Sequence, residues 1–221
     1  MIAGLVLAEL LPPARPGLAP RNLAVLDDHD QRQDLRVAGA PSLLVPIFTR
    51  CAGSCPLAVV ALKQATAGSP ARFRVLLLSF DTEDTAADLR DFRERLDLPS
   101  EWLLVRSIDA TATRELLDEL DFHFMKTGRG FDHPNQTFVF SPNGVWAATF
   151  SGNLSSKEEL ESALQRALAA DDLSVLRKLG NWLIRPEAWI ALACAGVVLS
   201  VAAILLLARR GKAYSPEHTS S

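Results

Sequence analysis

Cys51 and Cys55 stand four apart in T-R-C-A-G-S-C-P-L, residues 49–57, directly after the apolar run S-L-L-V-P-I-F and just before a proline and a helix-like sequence. Thiols at that spacing serve three chemistries: a structural disulfide, a redox couple, or two soft arms of a metal site. Three cysteines in 221 residues do not make a disulfide scaffold, which is short, dense in cysteine and usually even in count. The third, Cys194, lies in a long apolar run, where a lone cysteine behaves as a small hydrophobe. Ala52, Gly53 and Ser54 between the pair are small enough to let the loop bend around an ion, and equally to let a disulfide close. Two thiolates alone rarely complete a soft-metal site, so a third ligand is to be sought.

Four histidines are available. His29, in D-D-H-D-Q, and His218, in the tail, read as solvated surface residues. His123, in D-F-H-F-M, alternates with aromatics in strand fashion and reads as half-buried and structural. His133, in G-R-G-F-D-H-P-N-Q, sits in a glycine-rich loop just before a strand and is the candidate third ligand. Its neighbour Asp132 is a candidate to orient the imidazole, the commoner alternative being a solvated loop carboxylate.

These residues need elements to position them. S-L-L-V-P-I-F-T has the length and uniform apolarity of a strand buried on both faces, and the sequence after Cys55 reads as a helix with Pro56 tolerated in its first turn. A helix amino terminus at the cysteines favours thiolate, so one or both thiols are expected to be more acidic than a free cysteine. F-R-V-L-L-L-S-F and E-W-L-L-V-R-S read as further strands. D-T-A-A-D-L-R-D-F-R-E-R-L and T-A-T-R-E-L-L-D-E-L between and after them read as helices. Q-T-F-V-F-S-P-N-G-V-W-A-A-T-F is two runs joined by Ser-Pro-Asn-Gly, a hairpin signal, and Ser155 and Ser156 ahead of Glu158 and Glu159 open a closing helix through Ala169. N-L-A-V-L-D-D-H-D-Q supplies a first short strand and turn, with order starting near Asn22. The order predicts an α/β domain with a mixed central sheet, parallel at first and antiparallel at its end, flanked by helices on both faces: a thioredoxin-like layout. Three residues between the cysteines, where an ordinary thioredoxin motif has two, widen its loop.

C-A-G-S-C-P after a buried strand, L-L-S-F-D-T-E-D-T in the next strand and loop, and F-D-H-P-N-Q-T-F-V-F-S-P-N-G at the hairpin together resemble the Sco/SenC proteins over about residues 22–169. The resemblance implies a copper chaperone of cytochrome c oxidase assembly with Cys51, Cys55 and His133 as copper ligands, acting as copper donor, thiol reductase or both. It implies two partners, a copper-accepting oxidase subunit and a thiol reductant. Two thiolates and an imidazole suit copper, with zinc the chief competitor. Asp81 matches the acidic position that follows the family's next strand, its plain alternative being a helix cap. The chain departs from the family pattern at Ala52 and Thr82, where proline is usual, and in an anchor that follows the domain instead of preceding it.

That anchor is residues 188–208, an uncharged stretch whose roughly 21 residues would span about 30 Å as a helix, the thickness of a bilayer core. Trp189 at one end, and Arg209, Arg210 and Lys212 past the other, suit a single-pass transmembrane helix. Basic residues balance across it, but charges on a long translocated domain weigh less than those on a short tail. The domain is therefore expected to face the periplasm or exterior of a bacterial-type inner membrane, with the tail cytoplasmic. The organisation expected is a proline-rich leader or degenerate signal at 1–21, the domain at 22–170, an amphipathic linker at 171–187, the span at 188–208 and a tail at 209–221. A net charge of -3 and no basic stripe interleaved with aromatics give nucleic-acid binding no support. A tethered metal carrier is preferred over an enzyme. The alternatives are a thiol-disulfide oxidoreductase, in which Cys51 attacks and Cys55 resolves, and an assembly factor that has lost its metal. A peroxidase is disfavoured, because Arg50 is the only basic residue beside Cys51.

Overall fold

A computed structural model of the chain describes residues 9–11, 18–35, 39–128 and 130–183, with side chains included except at 9–11 and 171–183. The expected transmembrane span, the tail, Cys194 and His218 lie outside the described residues. Among the described residues no helix is long and apolar enough to cross a membrane. The chain divides into a compact unit, Met1–Ser174, and a second unit, Val175–Ser221, of which the backbone of 175–183 is described as helix.

The elements are β1 (Glu9–Leu11), β2 (Leu23–Asp27), β3 (Arg32–Leu35), β4 (Ser42–Ile47), α1 (Ser54–Thr66), β5 (Arg74–Ser79), α2 (Ala86–Leu96), β6 (Leu103–Ser107), α3 (Ala110–Glu119), β7 (Met125–Thr127), β8 (Gly130–Asp132), β9 (Gln136–Phe140), β10 (Trp146–Ser151) and α4 (Lys157–Leu183). Eight strands form one sheet in the order β1-β10-β9-β4-β5-β6-β2-β3, and β7 and β8 make a separate hairpin. β4, β5 and β6 run parallel, while β9 and β10 join antiparallel on the other side of β4. This is the mixed sheet expected.

Period-two alternation along the central strands divides the core. Leu43, Val45 and Ile47 of β4, with Val75 and Leu77 of β5, pack with Val59 and Leu62 of α1, Leu89 and Phe92 of α2, and Leu160 and Leu164 of α4. Leu44 of β4, Leu76 and Leu78 of β5, and the aromatics Phe48 and Phe80 just past those strands pack on the opposite face with Leu116 and Leu117 of α3. Helices therefore cover both faces, which is why β4 is buried at every position.

Local chemistry sets the ends of the helices. Thr85 and Asp88 form a reciprocal capping box on α2, and Asp109 accepts from the amides of Thr111 and Ala112 to open α3. The serine and glutamate signature at α4 works as expected: Glu159 N–H donates to Ser156 Oγ (3.2 Å), and Ser156 N–H donates to the Glu159 carboxylate (3.1 Å). The predicted hairpin is β9–β10. Ser141 O accepts from Gly144 N–H (2.9 Å), and Gly144 takes φ +76°, a conformation glycine adopts without strain.

Three expectations on extent are corrected. The leader is not without order before Asn22: β1 pairs with β10, Leu10 opposite Phe150, and Trp146 N–H donates to Leu18 O at 2.8 Å. The closing helix does not end at Ala169. α4 continues to Leu183, since no proline interrupts it and a single interior glycine, Gly180, costs a helix only about 1 kcal/mol. The first strand does not end in a bare turn, because Asp30 at φ +58° returns the chain into β3, which pairs with β2.

The sheet register places the site. β9 pairs with β4 only from Ser42 to Leu44, and Pro46, which has no N–H to give, lies beyond that ladder. Because the two strands are antiparallel neighbours, the loop after β4 and the loop before β9 emerge at the same end of the sheet. Cysteines near position 50 and a histidine near 130 meet there.

Candidate functional site

The wall that carries the sulfurs is tied to the sheet by buried hydrogen bonds. Thr49, two residues before Cys51, donates to Asp84 through its amide (2.9 Å) and its hydroxyl (2.6 Å), and its carbonyl accepts from Arg95 Nη2 (3.0 Å). The buried Asp84 carboxylate also accepts from Ser79 Oγ (2.5 Å) at the end of β5. Cys51 N–H then donates to Phe48 O (3.2 Å), turning the chain toward α1. Cys55 falls in the first turn of α1 and is 3% exposed, whereas Cys51 is half-buried; both are free thiols.

Burial reverses the expected acidity at one of them. The Cys55 thiol is pushed up to about 12 from an ordinary 9.0, chiefly because its anion would be desolvated and secondarily because of Cys51 beside it. Backbone hydrogen bonds at Phe48 and Cys55 act in the opposite direction and are outweighed.

The facing wall carries the imidazole. The β7–β8 hairpin ends at Asp132, and His133 follows. His133 Nδ1–H donates to Pro134 O (2.9 Å), which leaves the Nε2 lone pair free to accept; Nε2 lies 3.5 Å from Cys55 Sγ. The ring sits among Phe48, Phe80 and Phe122, with centroids 5.7, 5.4 and 5.8 Å away. A cleft of about 310 Å³ opens beside it, lined by His123, Phe124, Met125, Asp132, His133 and Pro134.

The three candidate ligands are thus neighbours: His133 against Cys55, and Cys51 against Cys55. Among the described residues no group of three or more His, Cys, Asp or Glu side chains is already arranged as a metal cage. The donor types, two sulfurs and an imidazole nitrogen, are nonetheless those that suit a soft ion, with Cys55 in contact with each of the other two.

The carboxylate expectations change. Asp132 is exposed, and the Pro134 carbonyl takes the Nδ1 bond for which Asp132 was the candidate. Asp81 is not a helix cap, since Thr85 caps α2; its buried carboxylate instead pairs with Arg50 Nη2. Arg50 also reaches Glu83 (2.9 Å), so the one basic residue beside Cys51 is engaged by two carboxylates. His123 is not half-buried: its side chain is 70% exposed and contacts Asp118 and Asp121 at 3.3 and 3.2 Å. Burial does alternate along 122–124, with Phe122 and Phe124 turned to the core, but the alternation places His123 on the solvent side.

Sequence reasoning passed over Asp84, Thr49 and Ser79, and also the phenylalanine enclosure. The enclosure had a signal: Phe48 and Phe80 each follow a buried strand at the same phase of its alternation. Asp84 had none, because a carboxylate in a polar run looks like any exposed acid.

A family model described as SCO1/SenC matches residues 23–169. No curated protein matches the chain. Among solved structures, a candidate electron transfer protein of Aquifex aeolicus VF5 shares 29% identity and a TM-score of 0.65, covering 70% of this chain and 95% of its own. Arabidopsis thaliana ScoI with copper bound shares 16% identity at a TM-score of 0.57, over 67% of this chain and 98% of its own. BsSco, a member of the Sco family of cytochrome c oxidase assembly proteins in which a disulfide switch was identified, shares 16% at 0.56, over 71% and 97%. The last two likenesses speak to the fold alone. With two cysteines and a histidine brought to one end of a thioredoxin-like sheet, and the family model spanning that whole domain, the chain belongs to the SCO1/SenC family.

Proposed function

We propose that the domain is a copper carrier that takes the ion on Cys51, Cys55 and His133 and passes it to the thiolates of a respiratory copper centre, that of cytochrome c oxidase, or prepares those thiols. One observation carries the reading: His133 Nε2 lies 3.5 Å from Cys55 Sγ with its lone pair directed there, because Nδ1–H is committed to Pro134 O. Copper is cargo here, so the protein must both hold and surrender it. Cys55 gives up its proton when it ligates, which the high thiol pKa makes a condition of loading. Cys51, half-buried, is the sulfur an acceptor can approach first. The copper-bound Arabidopsis protein and the family's part in oxidase assembly support the choice of ion and recipient.

The uncharged stretch at 188–208 would tether the domain to the membrane, facing the periplasm or exterior, and so raise its effective concentration near a membrane-bound acceptor. Copper titration of the purified chain tests the proposal. One ion per chain is expected, with a sulfur-to-copper charge-transfer band that disappears in Cys51→Ser and in Cys55→Ser and weakens in His133→Ala. A band that ignores the histidine change counts against the reading.

A second reading, thiol-disulfide exchange without metal, is favoured by one feature: one accessible sulfur beside one buried sulfur is the asymmetry of an attacking and a resolving thiol. In that case His133→Ala would leave exchange with a dithiol reductant nearly intact.

A further inference from the structure

The imidazole wall hangs on the β7–β8 hairpin, and one exposed carboxylate joins that hairpin to the sulfur wall. Glu83, in the loop between β5 and α2, accepts from Lys126 Nζ through Oε1 (2.6 Å) and from Arg50 Nη1 through Oε2 (2.9 Å). Lys126 is the middle residue of β7. Its cross-strand partner is Phe131, two positions before His133. Arg50 immediately precedes Cys51, and its other terminal nitrogen, Nη2, pairs with Asp81, whose side chain is 2% exposed. A chain of alternating charge, Lys126–Glu83–Arg50–Asp81, thus runs from the histidine's hairpin to the cysteine loop.

A solitary exposed ion pair contributes little, since side-chain entropy and solvent screening offset it. This one is not solitary. The buried Asp81 fixes Arg50, Arg50 fixes one oxygen of Glu83, and the other oxygen is thereby aimed at Lys126. Glu83 is held below the usual carboxylate range, first by Lys126 and then by Arg50, so both cations act on it together. Among the described residues the hairpin also meets the body through aromatic rings, Phe131 against Phe48 (5.2 Å), Phe80 (5.2 Å) and Phe124 (5.9 Å), and such contacts allow sliding that a directed ion pair resists.

We propose that Glu83 is a positioning residue that latches the β7–β8 hairpin to the cysteine loop, so that an exposed and salt-sensitive ion-pair chain sets how closely His133 is held against Cys55. The consequence for cargo rests on the copper-carrier reading; the latch itself does not. With the latch closed the imidazole stays beside the sulfur, and opening it withdraws one of three ligands and speeds release. An acceptor, or a rise in ionic strength, that competes for Lys126 or Glu83 would favour handover.

Amide hydrogen exchange on the metal-free full chain tests the latch in wild type, Lys126→Gln, Glu83→Gln and Lys126→Arg. Exchange across the hairpin is expected to quicken about fivefold in the two charge-removing variants and to stay at the wild-type rate in Lys126→Arg. About 0.5 M sodium perchlorate should quicken wild type to the same degree and leave Lys126→Gln unmoved. Unchanged exchange in Lys126→Gln, or equal salt response in both, overturns the proposal. The second arm is copper release to a competing chelator, expected to be about threefold to tenfold faster in Lys126→Gln than in wild type. Release unaffected by that change also overturns it, because the latch would then not govern His133. If wild type takes up no copper at all, the carrier reading fails while the exchange arm still decides the latch.

Discussion

The two walls of the site are held by different physics. Behind the sulfurs, Asp84 accepts three buried hydrogen bonds from Thr49 and Ser79, a core-like anchorage that salt does not reach. Behind the imidazole there is a three-residue-per-strand hairpin, a ring set among phenylalanines and an exposed ion-pair chain. The difference teaches that the chain fixes the position of the sulfurs firmly and leaves the approach of the imidazole adjustable. Such an arrangement suits a site that must let go of what it binds.

The hardest way to break that contrast is to remove the buried anchor. Asp84→Ala leaves two hydroxyls and an amide without their partner and is expected to lower stability by about 3 kcal/mol, read as a shift in the urea midpoint. A loss below about 1 kcal/mol would show that the sulfur wall is no firmer than its neighbour.

His133→Ala should do the opposite: little harm to the fold beyond a small cavity among the rings, but about a hundredfold loss of copper affinity on the carrier reading. Chemical denaturation and a chelator competition, run on the same sample, separate the two effects.

The pH dependence sharpens the picture of Cys55. With its folded pKa raised to about 12 from an ordinary 9.0, the buried thiol contributes stability that is fully present below pH 9 and is lost as pH rises through about 12. Between pH 6 and 8 it stays protonated, so loading must displace that proton, and copper affinity should climb at least about tenfold per pH unit. Alkylation of Cys55 in a Cys51→Ser background at pH 8 should likewise run at least about a hundredfold slower than that of free cysteine. Comparable rates would mean the sulfur is neither buried nor desolvated.

The smallest effect belongs to Asp132→Asn. The side chain is exposed and Pro134 O holds the imidazole, so copper affinity should stay within about twofold. A larger loss would restore Asp132 as the orienting group.

Much of this was legible from periodicity and punctuation. The apolar run of β4, the Ser-Pro-Asn-Gly turn and the serine–glutamate cap of α4 are local signals, and local structure followed them. The meeting of His133 with Cys55 was also accessible, because a strand, a crossover and a returning hairpin leave few ways to close a sheet. Side-chain environment was not. Acidity at Cys55 turned on burial, which tertiary packing decides and helix position alone does not. Asp81 and Asp84 lie three apart in one polar loop, yet one goes to Arg50 and the other to Thr49 and Ser79, a division that only the neighbouring loops can make. α4 outran its expected end because composition set a boundary where nothing in the backbone required one.

The short strand at Glu9–Leu11 covers what would otherwise be the free margin of β10. A recombinant fragment started at Asn22 would keep every candidate ligand but bare a row of unpaired amides and carbonyls along β10, an invitation to self-association. Anyone preparing the isolated domain should therefore begin upstream of Glu9, because solubility would fail before chemistry did.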